Sequence, residues 1–177
     1  MSDGMDFSMY QAATASGKEV LATDGRIARA RWICERILPD DLLCFQDGKF
    51  SRQMFQEAIS CFVSGQFIAV IVLGFSFIER SLVGRFWEND RKDLVSANSE
   101  QLLKEALAWG WLSKAEYQNL DRLRTIRNPI IHFKNPYSED RPEYRAILSA
   151  IDLERMLEND ARQALEAAVH VLHKTSL

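Results

Sequence analysis

The segment Arg127-Asn128-Pro129-Ile130-Ile131-His132 gathers a permanent cation, an amide and an imidazole within six consecutive residues. A guanidinium presents a planar fork of donors that matches phosphate oxygens, and an imidazole exchanges a proton near neutrality. Asn128 can orient either group or hydrogen-bond a substrate. The set therefore points to proton transfer beside a phosphoryl group. The spacing complicates this. Five residues along an ideal helix give about 7.5 Å of rise and about 140° of rotation, so Arg127 and His132 do not share a helix face. Pro129 lacks an amide hydrogen and clashes with the carbonyl four residues back, at Thr125, so the helix is expected to kink or end nearby. A kink would swing His132 toward Arg127.

Helical elements must position these residues. Ser113-Lys114-Ala115-Glu116 reads as a capping box that launches Tyr117, Leu120, Leu123, Arg124 and Arg127 along one helix. Upstream, Ser99 is a plausible cap for a helix that carries Leu102, Leu103, Ala106 and Leu107 and ends at Gly110. Ser51 is expected to cap a helix through Phe55, Ala58, Ile59 and Phe62, broken at Ser64-Gly65 before a long apolar helix from Gln66 to Trp87. Residues 135–142 read as a loop. A closing amphipathic helix from about Asp152 bears Leu153, Met156, Leu157, Ala161, Leu165, Ala168, Val169 and Leu172 as one stripe.

The remaining organisation follows from punctuation. Residues 1–25 read as a flexible tail, and Arg26 to Leu38 as an accessory helix stopped by Pro39. A linker reaches residue 48, and residues 49–177 form the main domain. Only 8 Gly and 4 Pro, with 47% hydrophobic residues, favour long helices over the many turns of a β fold. The fold class is therefore all-α.

Composition narrows the function. A formal charge of −3 argues against a protein that wraps duplex nucleic acid by charge alone, while leaving room for a local basic site. Cys34, Cys44 and Cys61 form neither a CxxC pair nor an even set, so no disulfide framework or zinc site is expected, and a cytoplasmic setting is the simplest expectation. The N-terminus lacks a basic then apolar signal pattern. Cys61 to Ile78 is strongly apolar, but its unbroken part falls short of the roughly 20 residues of a span, so a buried core helix is expected, with no membrane partner. No cofactor is expected.

Arg127-Asn128-x3-His132, set after a leucine-rich helical approach, resembles the Arg, polar residue, spacer, His signature of the HEPN superfamily (higher eukaryotes and prokaryotes nucleotide-binding domain). An earlier apolar helix ending in Phe77-Ile78-Glu79-Arg80-Ser81-Leu82 and the closing amphipathic helix agree with it. The resemblance covers roughly residues 51–173. It implies an antiparallel bundle of four main helices with a short helical N-terminal extension, and a metal-independent endoribonuclease of a toxin or defence kind. RNA brings its own nucleophile, the 2′-OH, so such an enzyme needs mainly proton transfer by His132 and charge stabilisation by Arg127. The resemblance also implies a homodimer that brings His132 of one protomer near Arg127 of the other, and a protein partner such as an antitoxin. Glu79 lies where HEPN-like proteins carry an acidic residue facing the motif, and is expected to hold Arg127 or Arg124. Arg124 is a candidate source of positive potential, with Asn128 in support.

A second reading stays open. Arg127 and Asn128 can cap the helix end, with His132 as a structural residue, in a non-catalytic module that binds RNA, a nucleotide or a protein partner. Arg122 fits a solvated face. His170 and His173 have metal-compatible spacing but no third ligand, so no metal site is assigned. Trp32, Trp87, Trp109 and Trp111 are expected in core or interface packing.

Overall fold

The computed structural model describes residues 23–37, 45, 48–135 and 137–175. Residues 1–22 of the tail expected over 1–25, the stop at Pro39 and most of the linker lie outside the described residues, whereas residues 23–25, expected in that tail, are helical. Among those described, every regular element is helical. They are α1 (23–36), α2 (Gly48–Ser64), α3 (Phe67–Glu88), α4 (Ser99–Ala108), α5 (Lys114–Ile131), α6 (Pro142–Leu148) and α7 (Leu153–Thr175), with a 3-10 turn at Lys92–Ser96.

α3 is the central element, packed against α7, α2 and α5. Its run of Phe67, Val70, Ile71, Phe75, Phe77, Ile78, Leu82 and Phe86 is buried, because apolar residues occupy nearly the whole helix circumference rather than one stripe. By length and composition this helix could cross a membrane, and half of its apolar window is covered by the rest of the bundle. At Gly74 a Cβ would lie only 3.5 Å from that of Ala164, so small residues let the backbones of α3 and α7 approach. α1 belongs to the same core: Ile33 and Ile37 are buried, Trp32 packs on Phe62 with ring centroids 5.0 Å apart, and Arg29 Nε donates to the Val63 carbonyl at the end of α2.

The helix ends show why the chain turns where it does. Gly65, with φ +79°, and Gly110, with φ +73°, close α2 and α4 in the left-handed conformation, and the amide pairs Gly65→Phe62, Gln66→Cys61, Gly110→Leu107 and Trp111→Ala106 satisfy the last carbonyls. Asp90 (φ 59°) and Ala150 (φ 51°) do the same for α3 and α6 without the freedom of glycine. The capping box of Ser113 and Glu116 is present in both directions. Asp152 caps α7 by accepting from the amides of Glu154 and Arg155.

Three sequence expectations are corrected. Ser51 does not cap α2. The helix begins at Gly48, where Gly48 N donates to Phe45 O, and the Ser51 side chain is buried inside it, its hydroxyl without a partner among the described residues. Ser99 does not cap α4; Asn98 does, its Oδ1 accepting from Gln101 N at 2.9 Å, which frees the Ser99 hydroxyl. Residues 135–142 are not all of the connection to α7, since α6 follows with Pro142 in its first turn, where a missing amide costs nothing. Arg145 of α6 pairs with Asp160 of α7 through two bonds of 3.1 and 2.5 Å, docking the short helix on the bundle.

Candidate functional site around Arg127 and His132

α5 delivers both motif residues, but to different surroundings. Arg127 lies on the turn after Leu120, Leu123 and Ile126, the buried face that holds α5 against the bundle. That register aims its guanidinium at α3. Nη2 donates to Glu79 Oε2 at 2.8 Å, the guanidinium carbon stands 5.1 Å from the centre of the Phe75 ring, and the side chain is only 13% exposed. Glu79 and Phe75 are i and i+4 on α3, so one helix face supplies both the carboxylate and the aromatic surface. The other Glu79 oxygen accepts from Ser99 Oγ at the first turn of α4. Three helices thus meet at one carboxylate.

The guanidinium is held but not saturated. Nη1 reaches Asn128 Oδ1 at 3.4 Å, near the limit for a hydrogen bond, and Nε is buried without a partner among the described residues. The charge is neutralised on one edge by Glu79, while donors remain on the other.

His132 sits beyond the helix end. α5 runs through Pro129 and stops at Ile131, so the proline ends the helix two residues later instead of interrupting it within the motif. His132 is the C-cap, with extended backbone (φ −123°, ψ 134°), its amide donating to Asn128 O at 2.9 Å. Its ring is exposed and has no side-chain partner among the described residues. The structure therefore gathers Arg127, Asn128 and Glu79 into one cluster and leaves His132 apart, on the surface.

The other candidates divide. Arg124 pairs with Asp121, three residues back on the same helix, with Nε 2.8 Å from Oδ1, and does not join Glu79. Arg122 is exposed. His170 bonds Glu116, which also takes Lys174 at 3.0 Å, so α7 closes onto the start of α5. This network, with the Ser113 amide as its largest contribution, holds the Glu116 carboxyl down to about 2. No three His, Cys, Asp or Glu side chains among the described residues are placed to hold a metal. Trp32 packs against Phe62, and Trp109 and Trp111 pack on Phe86 and on each other, Trp109 being 43% exposed, whereas Trp87 is 53% exposed.

Sequence reasoning missed Ser99 and Phe75. Phe75 had a signal, being four residues before Glu79 on an apolar helix. Ser99 had none, because its contact depends on how α4 docks.

Beside Glu79 a groove of about 560 Å³ runs along α3 between Arg80, Val83, Gly84, Trp87 and Glu88 and the segment carrying Val95, Ala97 and Leu102. A smaller one, about 230 Å³, lies by Pro129 and Ile130 against Ile68, Leu153 and Leu157. Comparison with protein-family models, with curated proteins and with solved structures gives no match to this chain.

Proposed function

We propose that the chain is a HEPN-like module acting as a metal-independent endoribonuclease, with two copies contributing to each site. The observation that carries this reading is the division of labour at the end of α5: a cation fixed inward on Glu79, and an imidazole presented to solvent without a side-chain partner among the described residues. In the reaction His132 accepts the proton of the 2′-OH as that oxygen attacks phosphorus. The bond from phosphorus to the 5′-oxygen breaks, and a protonated imidazole returns a proton to the departing oxygen. A 2′,3′-cyclic phosphate and a 5′-hydroxyl result. Arg127, preset by Glu79, stabilises the charge that builds on the non-bridging oxygens.

Geometry favours a pair. Arg127 turns toward α3 while His132 is exposed, and the residues flanking His132, Ile131 and Phe133, are exposed too, Phe133 by 91%. An apolar rim around an isolated histidine suits an isologous contact that brings His132 of one copy to Arg127 of the other. The test is RNA cleavage in EDTA by wild type, His132→Ala and Arg127→Ala. The reading requires metal-free cleavage that falls at least a hundredfold in His132→Ala, within the usual contribution of a positioned acid–base group. Retained activity in that variant would discard it.

One observation favours a second reading. The two-sided hold on Arg127, by Glu79 and Phe75, also suits a non-catalytic HEPN-like module in which the arginine pins α5 to α3 and the surface binds RNA, a nucleotide or a protein partner. Binding of RNA without cleavage by folded protein would select it.

A further inference from the structure

The groove along α3 begins at Glu79, the residue that fixes Arg127, and ends at Trp87, an indole 53% exposed. Its two ends are eight residues apart on one helix, about 12 Å. That is the reach of roughly two nucleotides of extended single strand. Val83, Gly84, Ala97 and Leu102 give it an apolar floor, with Glu88 at the Trp87 end and Arg80 at the Glu79 end. About 560 Å³ is a volume that takes one flat heterocycle with its sugar.

The half-exposed Trp87 ring offers a flat face on which a base can stack. Here the occupant is Lys92, whose ammonium stands 5.3 Å from the Trp87 ring centre, a side chain itself largely in solvent and paired with Asp90 only at 3.5 Å. A cation held on a ring face this loosely is readily exchanged for a base, and once released it is placed to meet the phosphate of that base. Glu88 contributes only acceptor oxygens, which match the exocyclic amino groups of adenine, cytosine or guanine and find no such donor on uracil.

We propose that this groove is a nucleobase subsite for single-stranded RNA, in which Trp87 stacks on the base and Glu88 selects bases that carry an amino group. The proposal rests on the ribonuclease reading for the identity of the ligand, and goes beyond it in assigning where a nucleotide about two positions from the Glu79 end is held. Trp87 and Glu88 are substrate-binding residues, remote from proton transfer.

The test uses full-length protein carrying His132→Ala, so that RNA is not consumed, and fluorescein-labelled A8, C8 and U8 followed by anisotropy. Adding Trp87→Ala weakens binding of A8 and C8 roughly 5- to 100-fold, the range for loss of one stacked base, and Trp87→Phe restores most of it. Glu88→Gln narrows the preference for A8 and C8 over U8. Because both side chains are exposed, circular dichroism of these variants matches the parent. Unchanged affinity in Trp87→Ala, with His132-dependent cleavage intact in the wild-type background, overturns the groove and leaves the ribonuclease reading standing. Absence of both RNA binding and cleavage in folded wild type overturns both.

Discussion

Arg127 is the most constrained of the candidate side chains, and His132 the least. Removing Arg127 strands the Glu79 carboxylate, 24% exposed, with Ser99 as its one remaining partner among the described residues, so Arg127→Ala is expected to cost about 2 kcal/mol by urea denaturation. His132→Ala removes an exposed ring and is expected to stay within about 0.5 kcal/mol. A large loss from His132→Ala would make the histidine structural and remove its claim to chemistry. At this scale the sequence made the motif visible through residue types alone, and Glu79 only through the resemblance. It could not show which arginine Glu79 takes. Arg124 is satisfied locally by Asp121 at i−3, which leaves the carboxylate of α3 for Arg127, an outcome that local pairing could have suggested. Ser99 was misassigned because Asn98 and Ser99 are both good caps, and the choice follows from the tertiary demand of Glu79 for a donor.

At the scale of elements, the termini carry the predictions. Ala150 ends α6 at φ 51°, a conformation that disfavours any side chain with a Cβ, so Ala150→Gly is expected to raise stability by about 0.5–1 kcal/mol, read as a higher denaturation midpoint. Ser113→Ala, by contrast, should cost about 1 kcal/mol through loss of the α5 cap. Glu116 adds a pH dependence. Its folded carboxyl is held near 2 against an ordinary 4.5, so its stabilisation is complete above about pH 4.5 and is lost as pH falls toward 2. Glu116→Gln should flatten that part of the stability profile, and an unchanged acid slope would mean other carboxylates dominate. Helices α3, α5 and α7 were legible within a residue or two, since periodicity, the Gly65 break and the capping box are local signals. α6 was hidden because Pro142 and its polar neighbours read as loop, and its helicity is secured at long range by Arg145 and Asp160.

For the whole molecule, the sequence made the all-α class plain from scarce glycine and proline. What it left open was the role of the first helix, which packs through Ile33, Ile37 and Trp32 into the same core as α2 and α3. A hydrophobic helix such as α3 can be covered only by neighbours on several sides, so α1, α2, α5 and α7 all gather on it. The end of the molecule bearing Ile131 and Phe133 remains apolar and uncovered, and the proposed two-copy site places the contact there. Phe133→Asp is expected to shift the mass in solution from two copies to one and to lower cleavage with it, without unfolding the bundle. Its effect should vanish if the contact lies elsewhere. The central claim, that Arg127 and His132 together cut RNA, is met most directly by incubating single-stranded RNA with wild type and His132→Ala in EDTA and analysing the ends. Wild type is expected to leave 2′,3′-cyclic phosphate and 5′-hydroxyl ends, and the variant to lose at least a hundredfold of that cleavage. Equal products from both proteins, or intact RNA with folded dimeric wild type, would contradict it.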